Sequence, residues 1–212
     1  MSYEEALHQV LPADLPDRPT VVRKTAQHLH LIEEANRQFN LTRITGPRDA
    51  AIKHVLDSII PWQLFAGAAH VLDAGTGAGF PGVPLALVLP ATRFTLVEST
   101  QKKARFVASA VAALELANVE VSPVRAEDFL RHGRPEIVTA RAVTQIVNAL
   151  ALFGPVLKSG TKALLYKGPD VEQEIADAAA AARKHRAVVR VVMRYELPES
   201  QGRRTIVEIA GA

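Results

Sequence analysis

The sequence between residues 71 and 82 reads Val71-Leu72-Asp73-Ala74-Gly75-Thr76-Gly77-Ala78-Gly79-Phe80-Pro81-Gly82. It begins as a short apolar strand, ends that strand on an acidic residue and continues as a glycine-rich turn before a helical pattern. Glycines at such a turn let the backbone approach a ligand closely. The stretch therefore predicts an α/β fold with a ligand site where this strand ends.

From residue 70 onward, short β-rich runs alternate with helical patterns, which indicates a mostly parallel sheet covered on both faces. The predicted strands are His70–Leu72, Arg93–Val97, Val119–Val124, Glu136–Thr139, Lys162–Tyr166, Val188–Arg194 and Thr205–Ile209. The predicted helices between them are Val83–Leu89, Gln101–Ala117, Thr144–Leu157 and Val171–His185. The last two strands are joined by about ten residues, too few for a helical crossover, so the seventh strand is predicted to be antiparallel.

Helical patterns precede the sheet. Apolar residues recur at three- and four-residue steps from Val22 to Phe39, and a second helix is predicted from about Ala50 to Ile60, between the Gly46-Pro47 break and Pro61. We therefore expect one domain over residues 1–212, with residues 1–62 as a helical extension and residues 63–212 as the ligand-binding core.

Composition excludes several kinds of chemistry. The 212 residues contain no cysteine, which rules out disulfides, thiolate nucleophiles and iron–sulfur clusters. His28 and His30 lack a third ligand nearby, so no metal site is predicted and both are expected to be ordinary surface or packing histidines. The longest uncharged run, Ala74–Thr92, is broken by glycine and proline, and the chain starts without a signal peptide, so we expect a cytoplasmic protein with no membrane contact.

Two cofactor templates compete for the glycine turn. Gly75-x-Gly77-x-Gly79 is typical of S-adenosylmethionine (SAM) enzymes, whereas Gly77-x-Gly79-x-x-Gly82 matches the dinucleotide fingerprint formally. Gly77 lies five residues past Leu72 and Pro81 intrudes before the helix, which favours SAM. An acidic strand end at Asp73 also suits the amino group and hydroxyls of SAM better than it suits a pyrophosphate.

Two further strand ends carry candidate cofactor ligands. Glu98 ends the second strand, where a carboxylate can accept hydrogen bonds from the ribose hydroxyls of either cofactor. After the third strand, Ala126 and Glu127 offer a carboxylate and backbone groups to the exocyclic amine of an adenine. Asp128 beside them is equally explained as a helix N-cap.

Taken together, several motifs resemble the RsmG (GidB) family of bacterial small-subunit ribosomal RNA guanine-N7 methyltransferases. They are the glycine turn, Asn40-Leu41-Thr42-Arg43, His54-x-x-Asp57-Ser58, Ser99-x-x-Lys102-Lys103, Arg141-Ala142 and Lys167-Gly168, within a resemblance that covers roughly Ala35 to Asp170. The resemblance implies a class I SAM-dependent methyltransferase (Rossmann-like) fold. It also implies SAM as cofactor and 16S rRNA or the small ribosomal subunit as partner.

The resemblance also assigns roles to single residues. Gly75 and Phe80 match the cofactor-loop contacts of the family, Ala126 and Glu127 match its adenine-side pair, and Arg141 matches the arginine that closes the cofactor site. Glu98 stands where many members have aspartate, which keeps the carboxylate and lengthens its reach. Arg141 is the predicted catalytic residue, orienting either the cofactor or guanine O6 while N7 stays free to attack.

RNA contacts are predicted in two places. The first set is Asn40, Lys167 and a helical pair, His54 and Asp57, which could instead support the cofactor pocket. The second is the basic cluster Arg183, Lys184 and Arg186, whose alternative interpretation is a solvated helix face. We expect a monomeric enzyme. The alternative function is a SAM-binding or NAD(P)-binding Rossmann-like protein that acts on another substrate.

Overall fold

A seven-stranded sheet forms the centre of the fold in the computed structural model, which describes residues 1–44, 46–142 and 144–212. Its strand order is β3-β2-β1-β4-β5-β7-β6. The strands are β1 (His70–Ala74), β2 (Arg93–Val97), β3 (Val119–Ser122), β4 (Ile137–Arg141), β5 (Lys162–Lys167), β6 (Ala187–Glu196) and β7 (Arg203–Gly211). Strands β1 to β5 are parallel and β7 is antiparallel to both β5 and β6, which confirms the predicted fold class.

Helices cover both faces of this sheet. They are α1 (Tyr3–Val10), α2 (Arg18–Asn36), α3 (Pro47–Ala50), α4 (Asp57–Ile59), α5 (Gly82–Val88), α6 (Gln101–Ala113), α7 (Ala126–Leu130), α8 (Ile146–Leu157) and α9 (Val171–His185). Helix α1 was not predicted, although Ser2 and Glu5 form a reciprocal capping box at its start. In the part of the chain that the structure describes, no helix is long and apolar enough to cross a membrane.

The helix predicted at Ala50–Ile60 is a composite. It starts earlier, at Pro47, because proline suits the first helical position, and it is π-helical over Ala51–Leu56 between α3 and α4. A π segment leaves backbone carbonyls without their usual partners one turn on. Two carbonyls of this segment, at Lys53 and His54, accept hydrogen bonds from a strand-end arginine described below.

The helices before residue 62 share one hydrophobic cluster with the sheet, including Val21, Leu85 and Phe94. Helix α2 lies antiparallel to α6, because Lys24 donates to the carbonyl of Leu114 while Phe39, just after α2, lies under the ammonium of Lys102 at the start of α6. The carboxyl end of α2 therefore lies at the edge of the sheet where β1, β2, β4 and β5 end, which we call the carboxyl edge.

Candidate active site

Three alternating glycines shape the turn after β1. Gly75, Gly77 and Gly79 have φ values of 73°, 62° and 98°, a left-handed region that favours glycine. The amides of Gly75 and Thr76 both donate to the carbonyl of Val97, which fixes the turn across the end of β2. At Gly79 a Cβ atom would lie 3.0 Å from His28 Cε1, so this position needs glycine for its space as well as for its φ.

Asp73 lies completely buried beneath the turn. Its Oδ2 accepts hydrogen bonds from Thr76 Oγ1 at 2.7 Å and from the amide of Gly82 at 2.9 Å. Its Oδ1 is buried without a hydrogen-bond partner among the described residues. Burial raises the pKa of Asp73 to about 6, although those two hydrogen bonds and Arg141 oppose the rise.

The same carboxylate decides between the two cofactor templates. In a dinucleotide site the pyrophosphate takes the first amides of the helix that follows the glycines. Here the amide of Gly82, the first residue of α5, is occupied by Asp73 Oδ2. A phosphate placed there would meet a carboxylate, so the local charge disfavours NAD(P).

A cleft of about 620 Å³ opens beside the turn, within the size range of small-molecule sites. The predicted residues Gly75, Ala126 and Glu127 line it, together with Ser99 and Asn148. The carboxylate of Glu98 lies next to it, where Oε2 accepts from the amide of Gly77 at 3.1 Å and Oε1 from that of Thr100 at 2.8 Å. Each carboxylate oxygen can accept a further hydrogen bond.

Phe80 faces away from this cleft, toward the helices of the amino-terminal part. Its ring stacks on His54, with centroids 4.6 Å apart and planes inclined by 8°, and it lies 5.0 Å from the ring of His28. Its cofactor contact, implied by the resemblance, stays a prediction, and the side chain is placed to hold the turn against α2 and the π segment.

His28 supports the turn directly. Its Nε2 lies 2.9 Å from the carbonyl oxygen of Ala78, and its Nδ1 is buried with no partner among the described residues. Burial lowers the pKa of His28 to about 4, so the ring is neutral at pH 7 and its proton is on Nε2, the atom that faces the carbonyl. The position of His28 in the predicted amphipathic helix did not indicate this contact.

Arg141 ends β4 and reaches the π segment. Its Nη1 lies 3.2–3.3 Å from the carbonyls of Lys53 and His54, from Asp57 Oδ2 and from Ser58 Oγ. The guanidinium carbon is 5.3 Å from the centre of the Phe80 ring. Its Nε and Nη2 make no hydrogen bond with the residues that the structure describes, so those donors can still meet a ligand.

His54 and Asp57, predicted among the RNA contacts, are both buried, at 8% and 3% exposed. Asp57 Oδ1 accepts hydrogen bonds from Tyr195, and its Oδ2 accepts from Arg141. Burial and the nearby Arg141 lower the pKa of His54 to about 3. A neutral imidazole and a buried carboxylate are both poorly suited to contact the phosphates of RNA. The structure therefore favours the alternative role for this pair, which is to support the pocket.

Two further partners of Asp57 were not predicted from sequence patterns. Tyr195 is the second-last residue of β6, and its hydroxyl donates to Asp57 Oδ1 at 2.9 Å. Arg204 is the second residue of β7, and its Nε lies 3.5 Å from the same oxygen. The antiparallel last strand is what brings both to the carboxyl edge, since β6 ends and β7 begins there.

Lys167 and Asn40 occupy different environments. Lys167 is 12% exposed and donates to Glu174 Oε1 at 2.6 Å and to the carbonyl of Thr144 at 2.8 Å. It lines a second cavity of about 530 Å³ that also contains Arg141 and Arg204. Asn40 is exposed in the turn after α2, so an RNA contact is open to its side chain.

The basic cluster Arg183, Lys184 and Arg186 is exposed, as an RNA contact requires, but it lies far from the cofactor turn. Helix α9 starts after β5 at the carboxyl edge and runs 15 residues, about 22 Å, back to the start of β6. A contact of this cluster with RNA stays a prediction, and it would involve a part of the RNA remote from the turn.

Among the described residues no group of His, Asp and Glu could hold a metal ion.

Comparison with known proteins adds family information to this geometry. A family model described as GidB, rRNA small subunit methyltransferase G, matches residues 22–205. The ribosomal RNA small subunit methyltransferase G of Solibacter usitatus is 64% identical over 209 residues, covering 99% of this chain and 100% of that protein. The protein of the same name from Stenotrophomonas maltophilia is 37% identical over 185 residues, covering 87% of this chain and 84% of that protein.

Solved structures show the fold alone. An O-methyltransferase from Bacillus cereus in complex with SAH superposes with a TM-score of 0.60 at 18% identity, covering 87% of this chain and 90% of that one. A precorrin-6y C5,15-methyltransferase from Geobacter metallireducens gives a TM-score of 0.59 at 13% identity, covering 86% and 97%. Both similarities support the fold described above.

Proposed function

The chain belongs to the GidB family of small-subunit rRNA methyltransferases, and we propose that it methylates N7 of one guanine in 16S rRNA with SAM as the methyl donor. The observation that carries the proposal is the combination of a glycine turn over a buried carboxylate with an arginine that keeps free donors beside that turn. The 64% identity to a small-subunit rRNA methyltransferase over nearly the whole chain supports the choice of substrate.

The residues of the turn and cleft fit SAM. The buried Oδ1 of Asp73 has no partner among the described residues, and it is the kind of acceptor that an ammonium or a hydroxyl requires. Glu98 would accept from ribose hydroxyls while it keeps its bonds to the turn. Ala126 and Glu127 line the far end of the cleft, where they would meet the adenine.

Guanine N7 has an in-plane lone pair and no proton, so its methylation needs no general base. When bound, SAM supplies an electrophilic methyl group on a positively charged sulfur. The protein then contributes mainly by orienting the attacking base and excluding competing positions. Arg141 is suited to this task, because Nη1 is anchored to the π segment while Nε and Nη2, in a residue that lines the second cavity, keep donors that could bind guanine O6.

The second cavity supports an RNA substrate by its charge. Lys53, Arg141, Lys167 and Arg204 line it, against the two carboxylates Asp57 and Glu174. Its net positive charge favours a nucleotide with its phosphates over a neutral metabolite. We infer that the target nucleotide enters at this cavity, next to the turn that holds Phe80.

The deciding experiment is transfer of labelled methyl groups to 16S rRNA from cells that lack this protein. We expect one modified guanine, recovered as N7-methylguanosine and mapped to one position. Label in another nucleoside, or none in naked RNA and in isolated small subunits, would contradict the proposal.

A cytoplasmic location is expected from the proposed substrate. The predicted monomeric state is checked by light scattering with and without RNA.

A binding protein that senses SAM or NAD(P) without catalysis is the competing interpretation. Thermal unfolding with SAM, with its demethylated product and with NAD separates the two, since a specific ligand stabilises the fold by mass action. We expect stabilisation by SAM and by its product and none by NAD, because Asp73 occupies the helix amide that a pyrophosphate would need. SAM binding without any methyl transfer to rRNA would favour the sensor.

A further inference from the structure

A groove between α2 and α6 remains outside the site described so far. Its volume is about 560 Å³, and its apolar walls include Leu31, Phe39 and Phe106. The two phenylalanine rings are half-buried, so part of each ring faces the groove. The exposed side chains of Lys102 and Arg105 line it on the α6 side, and Glu34 lines it on the α2 side.

Resting on the proposed function, we propose that this groove binds the single-stranded RNA that flanks the target guanine, with the backbone phosphates on Lys102 and Arg105 and a base against Phe39.

Charge is the first argument. Lys102 and Arg105 are three residues apart on α6, so they share a helix face, and neither forms an ion pair with the described residues. Lys102 also lies in the first turn of α6, where the helix dipole disfavours a cation. An unpaired cation in that turn lowers stability in the free protein, and a polyanion would offset that cost.

The aromatic wall is the second argument. The ammonium of Lys102 lies 4.2 Å from the centre of the Phe39 ring, so a cation and an aromatic face occupy the same end of the groove. Proteins that hold single-stranded nucleic acid combine cations along the backbone with aromatic rings against the bases. A purely apolar partner would bury the ammonium of Lys102 without a counter-charge, which disfavours an uncharged protein surface.

Position is the third argument. Lys102 follows Glu98 by four residues, and the Glu98 carboxylate accepts from the amide of Gly77 in the cofactor turn. On the other wall, Thr42 lies three residues after Phe39, and its Oγ1 is 3.0 Å from His54 Nε2, in the ring that stacks on Phe80. Both walls of the groove are therefore connected to the turn. A single strand of RNA in the groove would continue toward the second cavity.

The test compares two double variants of the full-length protein that remove the same charge. Lys102→Ala with Arg105→Ala removes the groove cations, and Arg23→Ala with Lys158→Ala removes two exposed, unpaired cations at the opposite edge. Binding to 16S rRNA from cells lacking the protein is measured at several salt concentrations. Single-turnover methyl transfer and SAM affinity are measured alongside.

We expect the groove variant to bind RNA at least tenfold more weakly. Its salt slope should fall by about 1.4, because each of the two lost phosphate contacts contributes about 0.7 in single strands. Its SAM affinity should equal that of the wild type. An equal loss in both double variants, or no change in either, would overturn the groove as an RNA site. Normal binding to naked RNA with a defect confined to assembled small subunits would assign the groove to a ribosomal protein and overturn it as well.

Failure of the proposed function has a different signature, since the wild type itself would then transfer no methyl group to rRNA.

Phe39→Leu serves as the second measurement, because it keeps the apolar wall and removes the aromatic face. We expect it to weaken RNA binding about fivefold at every salt concentration, with an unchanged salt slope. Wild-type affinity in Phe39→Leu would contradict the stacking contact.

Discussion

The imidazole of His54 lies flat on the ring of Phe80, 4.6 Å between centroids. His54 belongs to the π segment in the amino-terminal part of the chain, and Phe80 belongs to the cofactor turn. Together with the contact of His28 to Ala78, this stack means that the helices before residue 62 hold the turn in shape. The amino-terminal helices thus support the turn, and we predict that substitutions in them change cofactor binding.

The first prediction concerns His28. His28→Leu removes the hydrogen bond to the Ala78 carbonyl and leaves that buried acceptor unpaired, which costs about 1 kcal/mol or more. We expect SAM affinity, measured by calorimetry, to fall about fivefold or more. His28→Gln should recover part of it, because its amide can donate. The control is His30→Ala, since His30 is exposed on the same helix; an equal loss in that control would contradict a specific contact.

The second prediction concerns Gly79. Gly79→Ala places a Cβ 3.0 Å from His28 Cε1 and Val83 Cγ2 and forces alanine to a φ of 98°. Backbone strain of this kind costs about 1–3 kcal/mol, and the turn must shift. We expect both lower stability in urea unfolding and weaker SAM binding.

Gly67→Ala is the matched control for Gly79→Ala. Gly67 also has a positive φ, of 83°, but a Cβ there would meet nothing within 4 Å. It should therefore lower stability and leave SAM affinity unchanged. If both variants lose SAM affinity alike, strain transmitted through the whole fold explains the effect, and the crowding at His28 does not.

The third prediction is a loss of stability on acidification. His28 and His54 have pKa values lowered from 6.5 to about 4 and about 3, so between pH 6 and 4 the unfolded chain binds two more protons there. Asp73, raised from 3.8 to about 6, binds one more proton in the folded state and opposes this. For these three groups the net difference is one proton, and His70, whose pKa burial also lowers, adds to it in the same direction. The unfolding free energy should therefore fall by at least about 1.4 kcal/mol per pH unit below pH 6.

Urea unfolding from pH 7.5 to 4.5 measures this slope. His54→Phe should make the slope shallower by about 1.4 kcal/mol per pH unit, because the phenyl ring can keep the stack on Phe80 while one titrating group is removed. A slope that stays the same in His54→Phe would mean that groups other than these two histidines dominate the acid response.

Local sequence patterns predicted the helices and strands of the fold. They did not predict contacts between residues that are far apart in the sequence. The strand Arg93–Val97 and the helix Val171–His185 match the prediction at both ends, because apolar periodicity and flanking breaks are encoded locally. By contrast, Tyr195 reaches Asp57 across 138 residues, and neither position shows a pattern that pairs them. The remote location of Arg183 was deducible, since a helix that follows a parallel strand must return to the opposite edge.

The last prediction concerns Arg141, which lines the second cavity and whose Nη1 is anchored by four acceptors, while Nε and Nη2 make no hydrogen bond with the described residues. If those donors orient the guanine, Arg141→Ala should slow single-turnover methyl transfer at saturating SAM and RNA by at least about tenfold, or about 1.4 kcal/mol of transition-state stabilisation. Arg141→Lys should restore little, because one ammonium cannot bond the π segment and a ligand at once. Asp57→Asn keeps Arg141 but weakens one anchor, so its rate should lie between those of Arg141→Ala and the wild type. Circular dichroism checks folding in each variant, and a rate for Arg141→Ala within twofold of the wild type would assign this residue to holding the π segment alone.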